Sequence, residues 1–147
     1  MDAIRVAEAS RAKIPEVISG DHVAELLDNE YQDDCAYMMR SIRVTDSGSQ
    51  VMKNKTVLLN ILIRNITATE ALIIKQEMLA RGGDAALPRE AVSHEVEKAD
   101  IIITGTYLQI QRLIKKIKSQ VRALPQIADM LSELLEKKND TIFRYSR

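Results

Sequence analysis

Two short glycine-containing loops are the first places where this sequence could bind a ligand. One reads GGDAA from position 82, and the other reads TGT from position 104. Glycine lets the backbone approach a ligand closely, and the N–H groups at a helix start attract anions. Gly105 and the Thr106 hydroxyl are therefore candidate contacts for a phosphate or a carboxylate. The candidate residues for a ligand or partner site are Gly82, Gly83, Asp84, Arg89, Thr104, Gly105, Thr106 and Gln109.

Both loops also have a purely structural explanation. Gly82 follows a predicted helix and could be its left-handed C-cap, and Thr106 with Gln109 three residues later forms a capping-box pattern. Asp84 and Arg89 could pair across the loop, although an exposed pair contributes little stability. Gly83 needs a further tight turn or a close backbone approach, which favours a special role for this loop. The sequence leaves both explanations open.

The sequence contains no recognisable catalytic constellation. His22 and His94 lie among charged residues, and neither has a partnered nucleophile at a familiar spacing. Cys35, the single cysteine, is interpreted as a small apolar residue on a helix face. No cluster of Cys and His has the spacing of metal ligands. We predict no catalytic and no metal-binding residues, and the sequence identifies no cofactor.

Length and composition are those of one folded domain. The chain has 147 residues, of which 46% are apolar and 29% are charged. An eight-stranded αβ barrel needs about 200 residues or more, so this chain is too short for one. The N-terminus lacks a signal-peptide pattern, and no apolar run is long enough to span a bilayer. We therefore expect a cytoplasmic protein with no membrane partner.

Charge is divided unevenly along the chain. Residues 1–50 carry five basic and ten acidic side chains, whereas residues 51–147 carry sixteen basic and eleven acidic ones. A basic stripe on one predicted helix could meet the phosphates of a nucleic acid. Aromatic residues are only 3% of the chain and no RNA-binding motif is present, so nucleic-acid binding is the weakest prediction. The stripe consists of Arg112, Lys115, Lys116, Lys118 and Arg122.

The first 48 residues are predicted to form an acidic, mainly helical N-terminal arm. Residues 2–7 are predicted as a strand and residues 10–18 as a short helix. Apolar residues then recur every three or four positions from His22 to about Met39, which predicts an amphipathic helix. The loop-like stretch Thr45–Ser49 marks the boundary with a second region, residues 49–147.

That second region has the pattern of a small α/β or α+β domain. Two runs rich in branched apolar residues predict buried strands, and two capping-box patterns predict the helices that follow them. Residues 85–92 contain Pro88, which indicates a sheet edge or a loop. We predict a three- to four-stranded sheet covered by helices, arranged as a split βαβ-like unit. The predicted elements are strands at Thr56–Ile63 and Glu95–Thr104, and helices at Ala68–Arg81, after Thr106 and from Pro125.

The segments IIKQEMLARGGDAALPREAV and ADIIITGTYLQIQRLIKKIKSQ together resemble a known domain. It is the N-terminal domain that precedes the pterin-binding barrel in some bacterial and archaeal dihydropteroate synthases. In that family a KQEML-like helix end is followed by a GGDAA loop, an arginine, a strand ending in GT, and a helix beginning with glutamine. The resemblance spans roughly residues 57–135. The matching residues are Lys75–Leu79, Gly82–Ala86, Arg89, Gly105, Thr106 and Gln109.

The resemblance implies a non-catalytic role, because the synthase's catalytic apparatus belongs to the barrel. It predicts an accessory or interaction module that acts with a pterin-binding or methyl-transfer protein of one-carbon metabolism, or as a homo-oligomer. The alternative is a small-molecule binding protein or enzyme that uses the two loops for an anionic or pterin-like ligand. That alternative requires the loops to lie within about 15 Å of each other. Nucleic-acid binding through the basic helix is a weaker alternative.

Overall fold

The computed structural model describes residues 16–27 and 31–145, with side chains up to residue 139. Contacts within the chain divide it into two compact units at residues 30 and 31. The first unit contains an antiparallel hairpin of β1 (Glu16–Ser19) and β2 (His22–Glu25). The predicted helix at residues 10–18 is thus wrong from residue 16, and the predicted strand at residues 2–7 lies outside the described residues.

The second unit contains the described helices and a three-stranded sheet. The helix predicted from His22 begins only at Gln32, because residues 22–25 pair with β1. The elements are α1 (Gln32–Ser41), α2 (Asp46–Met52), a 3-10 helix (Lys53–Lys55), β3 (Leu58–Thr67), α3 (Ala68–Ala80), β4 (Asp84–Ala86), α4 (Arg89–Val92), β5 (Lys98–Thr106), α5 (Tyr107–Ile117) and α6 (Leu124–Tyr145).

The predicted loop at Thr45–Ser49 is instead the start of α2. The Thr45 hydroxyl accepts a hydrogen bond from the Gly48 N–H at 3.0 Å, so threonine acts as the N-cap of this helix. Residues 31–48 belong to the second compact unit by their contacts. The division into an arm of residues 1–48 and a domain of residues 49–147 stays a prediction.

The predicted fold class is confirmed by the sheet. Its strand order is β3-β5-β4, and both pairs are antiparallel. β3 and β4, which α3 connects, therefore run parallel to each other with β5 between them. This is the split βαβ arrangement. Pro88 lies just beyond the edge strand β4 and begins α4.

One face of the sheet forms the core with the helices. Ile61, Ile103 and Ala85 lie opposite one another across the three strands, and all three are buried. α3 and α5 contribute the opposing apolar side chains, and both helices contact β5. The principal helical members of this core are Ala71, Ile74, Met78, Ile110, Leu113, Ile117, Leu124, Ile127, Ala128, Leu131 and Leu135.

The other face of the sheet is exposed, and we call it the open face. Leu58, Leu62 and Ile102 on this face are 63%, 49% and 46% exposed. The prediction that Thr56–Ile63 is a buried strand is therefore wrong, since β3 lies at a sheet edge with one face uncovered. Hydrophobicity on both faces of a strand indicates that both faces can be covered, but it does not specify what covers them.

Among the described residues, no helix combines the length and the low charge needed to cross a membrane.

Candidate functional site

The two glycine loops lie side by side because β4 pairs with β5. Asp84 is opposite Thr104 in the register of these strands. The approach is close: a Cβ atom added to Gly83 would lie 2.7 Å from the Thr104 carbonyl oxygen. The two loops are therefore within the separation of about 15 Å that a small-molecule site formed by both of them requires.

Two side chains fill the space between the loops. An added Cβ on Gly105 would lie 2.8 Å from the Met78 methyl group and 3.0 Å from Gln109 Oε1. An added Cβ on Gly82 would lie 3.0 Å from Gln109 Nε2. Met78 is fully buried. The three glycines therefore make room for the protein's own methionine and glutamine.

Gly82 and Gly83 also end α3 in a regular way. Gly82 has a φ of 90°, a left-handed conformation that glycine adopts without strain. The Gly83 N–H donates to the Met78 carbonyl at 3.0 Å, and the Gly82 N–H donates to the Leu79 carbonyl at 3.1 Å. These two bonds form a Schellman motif. Both glycines of the GGDAA loop thus have a structural cause.

Three N–H groups at the N-terminus of α5 already have partners within the chain. The Thr106 N–H donates to Gln109 Oε1 at 2.8 Å, and the Gln109 N–H donates to the Thr106 hydroxyl at 3.2 Å. The predicted capping box is confirmed. The Tyr107 N–H donates to the Val57 carbonyl at 3.0 Å, which ties the helix start to the chain preceding β3.

Asp84 forms an ion pair with Lys75 instead of Arg89. Lys75 Nζ lies 2.8 Å from Asp84 Oδ1 and also donates to the Ala85 carbonyl at 2.8 Å. The hydrogen bond from Lys75, with a second from the Ala85 N–H, lowers the pKa of the Asp84 carboxyl. Arg89 lies exposed at the start of α4, so the predicted pair with Asp84 is wrong. The other seven candidates are brought together where β4, β5 and α5 meet.

The capping box at the start of α3 contains a buried carboxylate. Glu70 Oε1 accepts from the Thr67 N–H at 3.1 Å, and Oε2 accepts from the Ala123 N–H at 2.8 Å. Burial opposes ionisation of Glu70, but these hydrogen bonds and the nearby Arg122 charge outweigh it and lower the pKa. Glu70 thus connects α3 to the chain that enters α6. Its role is structural, and the sequence pattern predicted its contact with Thr67 but not with Ala123.

The basic stripe lies on the surface. Its five side chains are exposed. In the described part of the chain, none of the five forms a salt bridge. Only Arg112, Lys115 and Lys116 lie on α5, because the helix ends at Ile117; Lys118 is its C-cap, and Arg122 lies beyond it with a φ of 64°. The prediction of one basic stripe along a single helix is therefore wrong.

Comparison with known proteins gives one distant similarity. No protein-family model matches the chain, and no solved structure matches it. The chain is 32% identical over 74 residues to a bifunctional dihydropteroate synthase/dihydropteroate reductase of Helicobacter pylori (strain ATCC 700392 / 26695). The similarity is distant and partial. It covers 50% of this chain but only 20% of that protein, so it supports a relationship to dihydropteroate synthase at a coarse level.

Proposed function

We propose that this chain is a non-catalytic accessory or interaction module related to dihydropteroate synthase. It acts with a pterin-binding or methyl-transfer enzyme of one-carbon metabolism, or as a homo-oligomer. The observation that carries this proposal is the open face of the sheet, where apolar side chains of β3 and β5 are exposed. Exposed apolar surface with a polar surround is typical of protein interaction sites.

The open face is organised in rows that run across the strands. Leu62, Ile102 and Ala86 are opposite one another and form an apolar row. On one side of it, Arg64 of β3 pairs with Asp100 of β5 at 3.2 Å. On the other side lies a polar row of Asn60, Thr104 and Asp84. A partner could bury its apolar side chains against the centre of this face and form hydrogen bonds with the polar residues on both sides.

The residues of β3 support a covered face in the functional state. Strands that are apolar on both sides occur where both faces of a sheet are packed, whereas a solvated face usually carries polar residues. β3 places Ile61 and Ile63 in the core, yet it also presents Leu58 and Leu62 on the open face. A partner that covers these leucines would remove their apolar surface from water.

The distant similarity supports the class of partner. The Helicobacter pylori protein is a synthase and reductase of dihydropteroate, and the similar segment is a fifth of it. A module related to that segment would naturally act beside such an enzyme. The small-molecule alternative ranks second, because Met78 and Gln109 occupy the space between the two glycine loops.

Light scattering and affinity capture from native cell extract test this proposal. We expect either concentration-dependent self-association or recovery of a pterin-binding or methyl-transfer enzyme. Leu62→Lys should abolish that association, because it places a charge in the apolar row. Leu79→Lys is the matched control, since Leu79 is similarly exposed (45%) but lies on α3. A monomer that captures no such enzyme, or equal effects of the two variants, would contradict the proposal.

A further inference from the structure

A polar cleft on the second unit shares no described lining residue with the glycine loops or with the apolar row of the open face. It has a volume of about 320 Å³ and lies where α1, the 3-10 helix, α5 and α6 meet. Ligand pockets span about 300–1,000 Å³, so this cleft suits a small molecule. Its lining in the described chain consists of Gln32, Asp33, Lys53, Asn54, Tyr107, Gln111 and Asn139. No interpretation of the sequence had assigned these residues a role.

Gln32 is the first side chain that lacks a partner in this cleft. It is only 7% exposed, yet its carboxamide makes no hydrogen bond to any described residue. A buried amide without a hydrogen bond is costly, and the great majority of buried polar groups are paired. Because Gln32 lines the cleft, a bound molecule can supply the missing hydrogen bond.

Tyr107 is the second side chain of this cleft with an unused hydrogen-bonding group. It is also 7% exposed, and its hydroxyl oxygen accepts from Asn139 Nδ2 at 3.1 Å. A phenol can donate as well as accept, and no described residue accepts the Tyr107 hydroxyl proton. The tyrosine therefore offers one remaining donor to the cleft.

Lys53 adds a positive charge that is weakly compensated. Its side chain is 26% exposed, and the carboxylate nearest to it in the described chain, that of Asp33, lies 3.6 Å away and is itself well exposed. That separation is longer than a charge-assisted hydrogen bond of about 2.7–2.9 Å. Lys53 thus retains donors for an acceptor that sits deeper in the cleft.

We propose that this cleft binds a small carboxylate-bearing molecule. Three groups that converge on it can donate to carboxylate oxygens: the Lys53 ammonium, the Tyr107 hydroxyl and the amide of Gln32. The Asp33 carboxylate also lines the cleft, but its side chain is 79% exposed and its charge is screened by solvent. Lys53 is the one cation among the described lining residues, and Asp33 offsets part of its charge, so the cleft suits at most a singly charged anion. A phosphate dianion would need more positive charge than the single lysine provides. The amides of Asn54 and Gln111 would contact the polar remainder of the molecule.

NMR titration of the full chain tests the site directly. The probes are acetate, benzoate and L-glutamate, with inorganic phosphate and chloride as reference anions. We expect saturable shifts centred on Tyr107, Lys53 and the Gln32 side-chain amide for at least one carboxylate, and not for chloride. Lys53→Gln should weaken that binding about tenfold or more, because it removes the charged donor. Tyr107→Phe should weaken it several-fold.

Two further variants separate ligand binding from folding. Lys55→Gln is the matched control for Lys53→Gln, since Lys55 is an exposed lysine of the same 3-10 helix that does not line the cleft. It should leave affinity unchanged within about twofold. Gln32→Leu should abolish binding and raise the thermal midpoint of the unliganded protein, because the leucine has no unpaired polar group.

Several results would overturn the inference. They are the absence of saturable binding for all three carboxylates, tighter binding of phosphate than of any carboxylate, equal effects of the two lysine variants, and a lowered thermal midpoint in Gln32→Leu. The site is independent of the open face. Loss of partner capture in Leu62→Lys with carboxylate binding intact, or the reverse, therefore distinguishes the two proposals.

Discussion

The glycine loops and the open face share the strands β4 and β5, yet they differ in how their surroundings are filled. Between the loops, Met78 and Gln109 pack against three glycines. On the open face, Leu62, Ile102 and Ala86 lie in a row that no described side chain buries. The loops are thus a place where the chain packs on itself, and the open face is a place where it can pack on another molecule.

Gly83→Ala tests the loop side of this comparison and should have the largest effect. The added methyl group would lie 2.4 Å from the Met78 methyl and 2.7 Å from the Thr104 carbonyl oxygen, and the latter belongs to the sheet backbone and cannot move away cheaply. We expect a loss of about 3 kcal/mol in the free energy of unfolding. Urea denaturation measures it.

Gly105→Ala is the control for that substitution. Its added methyl group would meet only the flexible ends of Met78 and Gln109, so the loss should be smaller, about 1–2 kcal/mol. If Gly83→Ala were as stable as the unchanged protein but lost affinity for a small molecule, the loop would be a binding site. The conclusion that the glycines serve internal packing would then be wrong.

Acid titration distinguishes the exposed carboxylate of the glycine loop, Asp84, from the buried carboxylate of Glu70. Glu70→Gln should cost about 2 kcal/mol at neutral pH, because glutamine cannot accept with both of its terminal atoms. Since the folded pKa of Glu70 is lowered, its stabilisation is present above the pKa of an unfolded glutamate, about 4.3, and is lost as the pH falls through the folded value.

The matched variant for this titration is Asp84→Asn. The pKa of Asp84 is also lowered, but its carboxyl is exposed and its ion pair with Lys75 is screened by solvent. We expect no resolvable change in the urea midpoint at any pH between about 3 and 7. A marked destabilisation by Asp84→Asn, or an effect of Glu70→Gln that grows in acid, would contradict this assignment.

Ile102→Thr tests the open face and should have a smaller effect on folding than Glu70→Gln. Its side chain is half exposed, and threonine is well suited to a strand, so the free energy of unfolding should change by less than about 0.5 kcal/mol. The same change at the neighbouring Ile103, which is fully buried, should cost about 2–4 kcal/mol. Equal losses at the two positions would mean that the open face is already covered in the isolated protein.

Sequence patterns that depend on contacts within a few residues correctly predicted where two helices begin. The capping boxes of Thr67 with Glu70 and Thr106 with Gln109 are formed as predicted, and they begin α3 and α5. The β1–β2 hairpin was missed because Val23, Leu26 and Leu27 also match helical spacing, and short segments satisfy both periods.

The candidate site was less predictable because its geometry depends on residues far apart in the sequence. Gly83 is explained by the Thr104 carbonyl, which only the pairing of β4 with β5 brings next to it. Gln32 gives no local signal either, since the residues that line the cleft with it include members of the 3-10 helix, α5 and α6. The hydrophobicity of β3 on both faces was visible in the sequence, but it had suggested a buried strand.

The irregularity in β3 has a consequence for how copies of this protein behave at high concentration. β3 ends the strand order of the described sheet, and such an edge can recruit strands from other chains into fibrils. Its pairing shifts between Ile63 and Ile66, and Asn65 there has a φ of 60° and donates its N–H to Asp100 at 2.9 Å. The bulge therefore interrupts the regular strand beyond Ile63, which limits growth from this edge of the sheet.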